Sequence, residues 1–245
     1  MATEARSRLI VALDYASLAP AYALARRLAG SVGLFKIGKQ LFTAEGPQAL
    51  SRISELGLGI FLDLKYHDIP NTVAGAVAAA LALPGVRMVN VHALGGSVMM
   101  QAAARAAAQA RAGRSGGAKV LAVTLLTSHD AAVMREVGLT GTPQTRAVKL
   151  ARLARRAKLD GVVASAREIR AIRAACGKNF LIVVPGVRPA GAAIGDQQRI
   201  ATPEEATRAG ADYLIVGRPI TDAPDPVAAA EAIVKEIARG LAAKV

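Results

Sequence analysis

The chain has 245 residues, 53% of them hydrophobic but only 3% aromatic, and its 31 Lys and Arg against 18 Asp and Glu give a net charge of +13. That apolar content and a charged fraction of 20% exclude a disordered chain, and a single cysteine, Cys176, excludes a disulfide scaffold. The longest uncharged apolar stretch, residues 73–86, is interrupted by Pro84 and falls short of the roughly 18 to 20 residues that a spanning helix requires, so no membrane partner is expected.

From the N-terminus, residues 1–8 are polar and the apolar run 9–13 stops at Asp14. No secretory signal is expected there, and the expected setting is cytoplasmic. The run 9–13 predicts a first strand, and Ser17 with Pro20 opens a helix to about residue 29. A second strand is predicted over 34–38, then a helix over 45–56 ended by Gly57. A third strand over 60–65 precedes a helix over 72–83, stopped by Pro84 and Gly85. Strand 88–92 leads to an alanine-rich helix over 97–112, and strand 120–125 to a helix over 143–158. Strands 161–164, 181–185 and 213–217 precede helices over 166–175, 203–209 and 226–241.

The strand runs are short, mostly apolar and often continuous, as strands buried on both faces of a parallel sheet are. Pro near helix starts and Gly just past helix ends follow the usual asymmetry. Eight strands alternating with eight helices, in a chain of barrel length, predict a single (β/α)8 TIM barrel occupying residues 1–245. A doubly wound open sheet is the competing architecture. Residues 186–202 form a long Gly-containing stretch without periodicity, expected to be a functional lid.

The positive charge invites a nucleic-acid reading, but the cations are scattered. The densest group, Arg152, Arg155, Arg156 and Lys158, shares helical spacing with Leu150, Leu153 and Leu159 and reads as the solvated face of an amphipathic helix. Aromatic side chains for base stacking are nearly absent, so no nucleic-acid partner is expected. With 54 Ala, and 22 Arg among the 31 cations, much of the excess reflects compositional bias.

In a barrel, catalytic residues sit where strands end. The first run ends at Asp14, the second carries Lys36, and the third ends in Asp63-Leu64-Lys65 with Asp68 just beyond. The fourth ends at Asn90 and His92, and the fifth near Thr127 and Ser128. Asp63 and Lys65 are two apart, so alternation points both into the barrel. Burying a charge without a partner is costly, and an Asp63–Lys65–Asp68 arrangement would satisfy the ammonium and keep it protonated. A plain buried salt-bridge network is the alternative, but with Lys36 two cations and two anions converge on one barrel mouth, more than packing requires. The ends of strands seven and eight are the usual phosphate seat. There Gly217 admits an anion to the backbone N–H groups, Arg218 offers a guanidinium fork, and the lid contributes Arg188 and Gln197. His67, His92 and His129 show no metal-ligand spacing. These features predict a barrel enzyme acting on a small phosphorylated molecule.

The segments Val11-Ala12-Leu13-Asp14, Phe35-Lys36-Ile37-Gly38, Asp63 through Thr72, Val91-His92-Ala93, Leu126-Thr127-Ser128, Pro185 through Pro189, Gly195-Asp196-Gln197 and Val216 through Ile220 resemble, in order, those of the orotidine 5′-monophosphate decarboxylase family. The resemblance implies conversion of orotidine monophosphate (OMP) to UMP and CO₂ in de novo pyrimidine synthesis, with no metal and no cofactor. It implies that Lys65 stabilises and then protonates the C6 carbanion, with Asp63 beside the departing carboxylate and Lys36 and Asp68 completing the charged row. It assigns Asp14 and Lys36 to the ribose, Thr127 to the pyrimidine, and Arg188, Gln197, Gly217 and Arg218 to the phosphate and lid. It further implies a homodimer in which Asp68 and Thr72 reach into the partner's site. The competing resemblance is to Mg²⁺-dependent sugar-phosphate decarboxylases and synthases of the same barrel. It fits less well, because those enzymes place a carboxylate near the position of Lys36.

Overall fold

The computed structural model describes residues 2–112, 117–189 and 201–243. Eight parallel strands close into a barrel in sequence order: β1 (Leu9–Ala12), β2 (Leu34–Gly38), β3 (Gly59–Tyr66), β4 (Val86–His92), β5 (Lys119–Val123), β6 (Gly161–Val163), β7 (Leu181–Pro185) and β8 (Tyr213–Val216). Closure comes from β1 against β8, with Leu9 opposite Leu214 and Val11 opposite Val216. The predicted (β/α)8 barrel is therefore the fold.

Alternation along the strands sorts the core into two layers. Ile10, Phe61, Met88, Leu121, Val183 and Ile215 fill the barrel interior. Val11, Phe35, Leu62, Val89, Ala122 and Leu214 face outward and pack beneath the helices. The alanine excess has its place in this outer layer. Ala102, Ala103, Ala106 and Ala107 are buried along one side of a single helix, where a small side chain lets helix and sheet approach.

Helices α1 (Ala2–Ser7), α2 (Leu18–Leu28), α3 (Lys39–Glu45), α4 (Pro47–Ser54), α5 (Pro70–Ala82) and α6 (Gly96–Arg111) belong to the first half of the chain. The second half carries α7 (Ala131–Glu136), α8 (Pro143–Arg156), α9 (Ile169–Cys176), α10 (Pro203–Ala209), α11 (Arg218–Thr221) and α12 (Pro226–Ala242). Thr142 and Thr202 close capping boxes at the starts of α8 and α10, and Asp225 accepts from two backbone N–H groups of α12.

Four helices differ from expectation. The helix expected over 45–56 is α4, and α3 stands before it, over Lys39–Glu45, where none was expected. Gly46 breaks them apart with a φ of 62°, and Pro47 has no N–H to continue the ladder. The short helices α1, α7 and α11 lack the length that a periodic pattern needs to show. Among the described residues no helix is long and apolar enough to cross a membrane.

Candidate active site

The strand ends bring four charged side chains into one row. Lys36 Nζ lies 2.8 Å from Asp14 Oδ1 and 3.6 Å from Asp63 Oδ2. Lys65 Nζ lies 2.8 Å from Asp63 Oδ1. The signs alternate along Asp14, Lys36, Asp63 and Lys65. The middle of the row is buried: Lys36 is 8% exposed and Asp63 8%. Burial by itself would raise the pKa of the Asp63 carboxyl. The ammonium groups of Lys36 and Lys65, with hydrogen bonds from Lys65 and Asn90, together outweigh it and hold the carboxyl below its ordinary range. Asp63 is therefore an anion clamped between two cations.

Alternation alone does not explain how Lys65 reaches Asp63. Leu62 of β3 stands opposite Val89 of β4 and Tyr66 opposite Val91, so three residues of β3 span one residue of β4. This is a bulge. Within it Lys65 adopts a φ of 54°, a left-handed conformation that a long side chain rarely takes. The Lys65 N–H donates to Asn90 Oδ1 at 2.8 Å, and Asn90 Nδ2 donates to Asp63 Oδ1 at 2.6 Å.

Beside the row lies a cavity of about 250 Å³. Lys36, Asp63 and Lys65 form its charged wall, Val123, Val163 and Ile215 its apolar floor, and Thr127 and Pro185 its rim. Thr127, from the loop after β5, thus shares one pocket with Lys65. The pocket offers an ammonium next to apolar surface, where a charge acts far more strongly than in water.

Further round the mouth, Gly186 turns the chain after β7 with a φ of 76°. Arg188 follows, 9% exposed, and its Nε is buried with no hydrogen-bond partner among the described residues. A buried donor without an acceptor is rare in a finished core and suits a site built for an anion. The Arg188 N–H donates to the Ala201 carbonyl, tying together the two ends of the intervening segment. After β8, Gly217 precedes α11, and among the described residues a Cβ placed on it would meet the Cβ of Ala12 at 3.7 Å, an ordinary contact. Arg218 begins α11 with its side chain exposed. Gln197 lies outside the described residues, as does most of the expected lid.

Asp68 and Thr72 do not join the row of their own chain. Both are exposed, and the Asp68 carboxylate accepts from the Ile69 N–H at 2.6 Å, at the entrance to α5. The expectation that Asp68 completes an Asp–Lys–Asp set around Lys65 is corrected for a single chain: the second anion of the row is Asp14. The reason is geometric, because β3 ends at Tyr66, just past the bulge, and the chain turns into α5 at Pro70, carrying Asp68 away from the row.

Two residues of the site carry no role in the sequence reading. Asn90 is fully buried between Val89 and Val91 of β4, and its signal is a polar residue two positions after the inward-facing Met88. Gly38 lies two residues after Lys36, and a Cβ on it would come within 2.9 Å of Lys36 Nζ and 3.2 Å of Asp14 Oδ1. Its signal is a glycine ending an apolar strand. Among the described residues, no three His, Cys, Asp or Glu side chains are grouped to hold a metal ion.

A family model described as "Orotidine 5'-phosphate decarboxylase / HUMPS family" matches residues 7–233. The chain is 58% identical over 231 residues to the orotidine 5′-phosphate decarboxylase of Halorhodospira halophila, covering 94% of this chain and 96% of the relative. It is 55% identical to that of Moorella thermoacetica over 95% and 93% of the two chains. The crystal structure of the Lactobacillus acidophilus orotidine 5′-phosphate decarboxylase superposes with a TM-score of 0.79 at 36% identity, covering 94% of this chain and 98% of that one. On a match that runs through every strand of the barrel and both ends of the charged row, the chain belongs to the orotidine 5′-phosphate decarboxylase/HUMPS family, as a carboxy-lyase.

Proposed function

We propose that the chain converts OMP to UMP and CO₂ without metal or cofactor. The observation that carries this reading is Asp63 held between Lys36 and Lys65 on the wall of a half-apolar pocket. In the reaction, the bond from C6 to the carboxylate carbon breaks and its electron pair stays on C6, in the plane of the ring, where no π system receives it. CO₂ leaves. The Lys65 ammonium, already in place, stabilises the growing charge and then donates a proton to C6, and solvent reprotonates the amine. Charge placed before the transition state forms needs no reorganisation when it forms. Asp63, beside the departing carboxylate, adds repulsion that loss of CO₂ relieves.

Asp14 and Lys36 would hold the ribose, and Thr127 the pyrimidine. Arg188, Gln197, Gly217 and Arg218 would hold the phosphate, and the buried Nε of Arg188, without a partner among the described residues, supports that seat. Phosphate binding far from C6 would then supply energy for excluding water from the pocket.

Asp68 and Thr72 would act in the site of a second copy. Ile69 and Val98 support this, being 67% and 65% exposed at the neighbouring starts of α5 and α6. Apolar side chains so exposed beside the site suit a covered face in a homodimer. The setting would be cytoplasmic, and neither nucleic acid nor membrane is a partner.

The test is loss of ultraviolet absorbance from OMP in the presence of EDTA, for the wild-type chain and for Lys65→Ala. The expected result is full activity with chelator and none in the variant. Activity that EDTA abolishes would favour the Mg²⁺-dependent enzymes of the same barrel, although Lys36 and Lys65 repel a cation at Asp63. Near-normal turnover by Lys65→Ala would remove the lysine from the chemistry.

A further inference from the structure

We infer that Asn90 is a positioning residue for decarboxylation, one amide that sets both the backbone of Lys65 and the rotation of the Asp63 carboxylate. The inference deepens the proposed reaction and rests on Lys65 acting at C6.

Asn90 is the single β4 residue opposite the three-residue bulge of β3. A bulge breaks the ladder of backbone hydrogen bonds and leaves groups to be satisfied in other ways. Here a side chain takes the place of the missing backbone. Asn90 Oδ1 accepts the N–H of Lys65, the residue driven to positive φ. Such a conformation persists only where the surroundings over-determine it, and the Asn90 carbonyl is the acceptor that meets this N–H.

The other end of the same amide works on Asp63. Oδ1 of that carboxylate receives both Asn90 Nδ2, at 2.6 Å, and Lys65 Nζ, at 2.8 Å. Oδ2 is left facing Lys36 at 3.6 Å. With both oxygens assigned, the carboxylate cannot rotate freely, and the direction from which it holds the Lys65 ammonium is fixed. The amide orientation follows from the chemistry, since only the NH₂ can donate to a carboxylate and only the carbonyl can accept from an N–H. Asn90 is fully buried and does not line the pocket, so it acts through its two neighbours.

A group that only satisfies the bulge would affect folding, whereas a group that aims Lys65 would affect the chemical step. Displacing a reacting group by about 1 Å costs on the order of 100-fold in rate. The experiment measures kcat and KM for OMP, product affinity for UMP, and the pH profile of kcat in Asn90→Ala and Asn90→Asp. The expected result for Asn90→Ala is a kcat lowered by about 100-fold, with KM and UMP affinity within about threefold of wild type. The acidic limb of kcat should move to higher pH, because Asp63 loses a hydrogen bond to its charged form while Lys36 and Lys65 still face it. Asn90→Asp keeps the acceptor for Lys65 but sets a second carboxyl against Asp63, and should move that limb further in the same direction.

Wild-type kcat and an unmoved limb in both variants would overturn the inference. So would failure of both to fold, which would make Asn90 a residue of the fold alone. Lys65→Ala measured alongside separates the two readings. If it is inactive while the Asn90 variants work normally, only the positioning role fails. If it works normally, the lysine chemistry fails first.

Discussion

Lys65 and Asp63 meet at 2.8 Å although the strand that carries both loses its regular alternation between them. Each needs the other, but not equally. Asp63 also has Lys36 and Asn90, whereas its own carboxylate is the ion-pair partner of Lys65. Asp63→Ala should therefore destabilise the protein by about 3 kcal/mol, the range seen when one member of a buried pair is removed. Lys65→Ala should cost roughly half of that or less. Chemical denaturation of the two variants checks the order, and a reversed order would contradict the row as described.

Gly38 makes room for the Lys36–Asp14 pair. An added methyl group would meet Lys36 Nζ at 2.9 Å, and the Gly38 φ of −95° is open to any residue. Gly38→Ala should thus fold normally, because the far end of a lysine moves easily. It should still lower kcat/KM by about tenfold or more, since the displaced ammonium is part of the site. Unchanged kinetics with an unchanged melting temperature would show that the pair tolerates being moved.

Arg188→Ala and Arg218→Ala test the phosphate seat. Each should raise KM for OMP while leaving the slow turnover of orotidine, which has no phosphate, nearly untouched. Guanidinium–phosphate contacts contribute on the order of 1.5 to 3 kcal/mol each. Equal losses on both substrates would place these arginines elsewhere in the mechanism.

Asp68 lies away from its own row, which makes a mixing experiment decisive. Lys65→Ala and Asp68→Ala should each be inactive alone. If sites are shared between two copies, a mixed dimer holds one barrel with its own Lys65 and the other chain's intact Asp68. Random exchange should restore about a quarter of the sites. No recovery after exchange would show that Asp68 does not act across an interface.

Stability should fall with acid in a defined window. The His92 ring stacks on His67 with centroids 5.4 Å apart. Burial, reinforced by the nearby charges of His67, His129, Lys65 and Lys39, pushes its pKa down from 6.5 to about 4. Between those values the unfolded chain binds a proton that the folded chain does not. Stability is then fully present above pH 6.5 and declines as the pH falls toward 4. Asp63, depressed below the ordinary carboxylate range, adds a loss of the same sign at lower pH. Urea midpoints across this range should slope less in His92→Gln than in the wild-type chain, and parallel slopes would remove His92 as the source.

The eight strands could be read from the sequence to within a few residues because strands buried on both faces are written as continuous apolar runs. Lys36, Asp63 and Lys65 stood out for the same reason, as charges at the ends of such runs. The bulge was hidden, since the N–H of Lys65 at positive φ finds its acceptor, Asn90, on another strand and leaves no mark in local composition. Asp14 and Asp68 show the limit of spacing. Asp14 reaches the row from the loop after β1, and Asp68, only three residues from Lys65, is carried away by the turn into α5. Gly38 left only a faint signal, a glycine closing a strand, because its contribution is the absence of an atom.

The row of Asp14, Lys36, Asp63 and Lys65 holds two positive and two negative charges, so it contributes nothing to the +13 of the chain. Alternating charges a few ångströms apart cancel at a distance, and their field reaches only a molecule that has already arrived. Drawing an anionic substrate from solution falls instead to the scattered surface cations, whose reach is cut to about 10 Å at 0.1 M salt. Raising ionic strength should therefore slow capture of the substrate while leaving the chemical step unchanged.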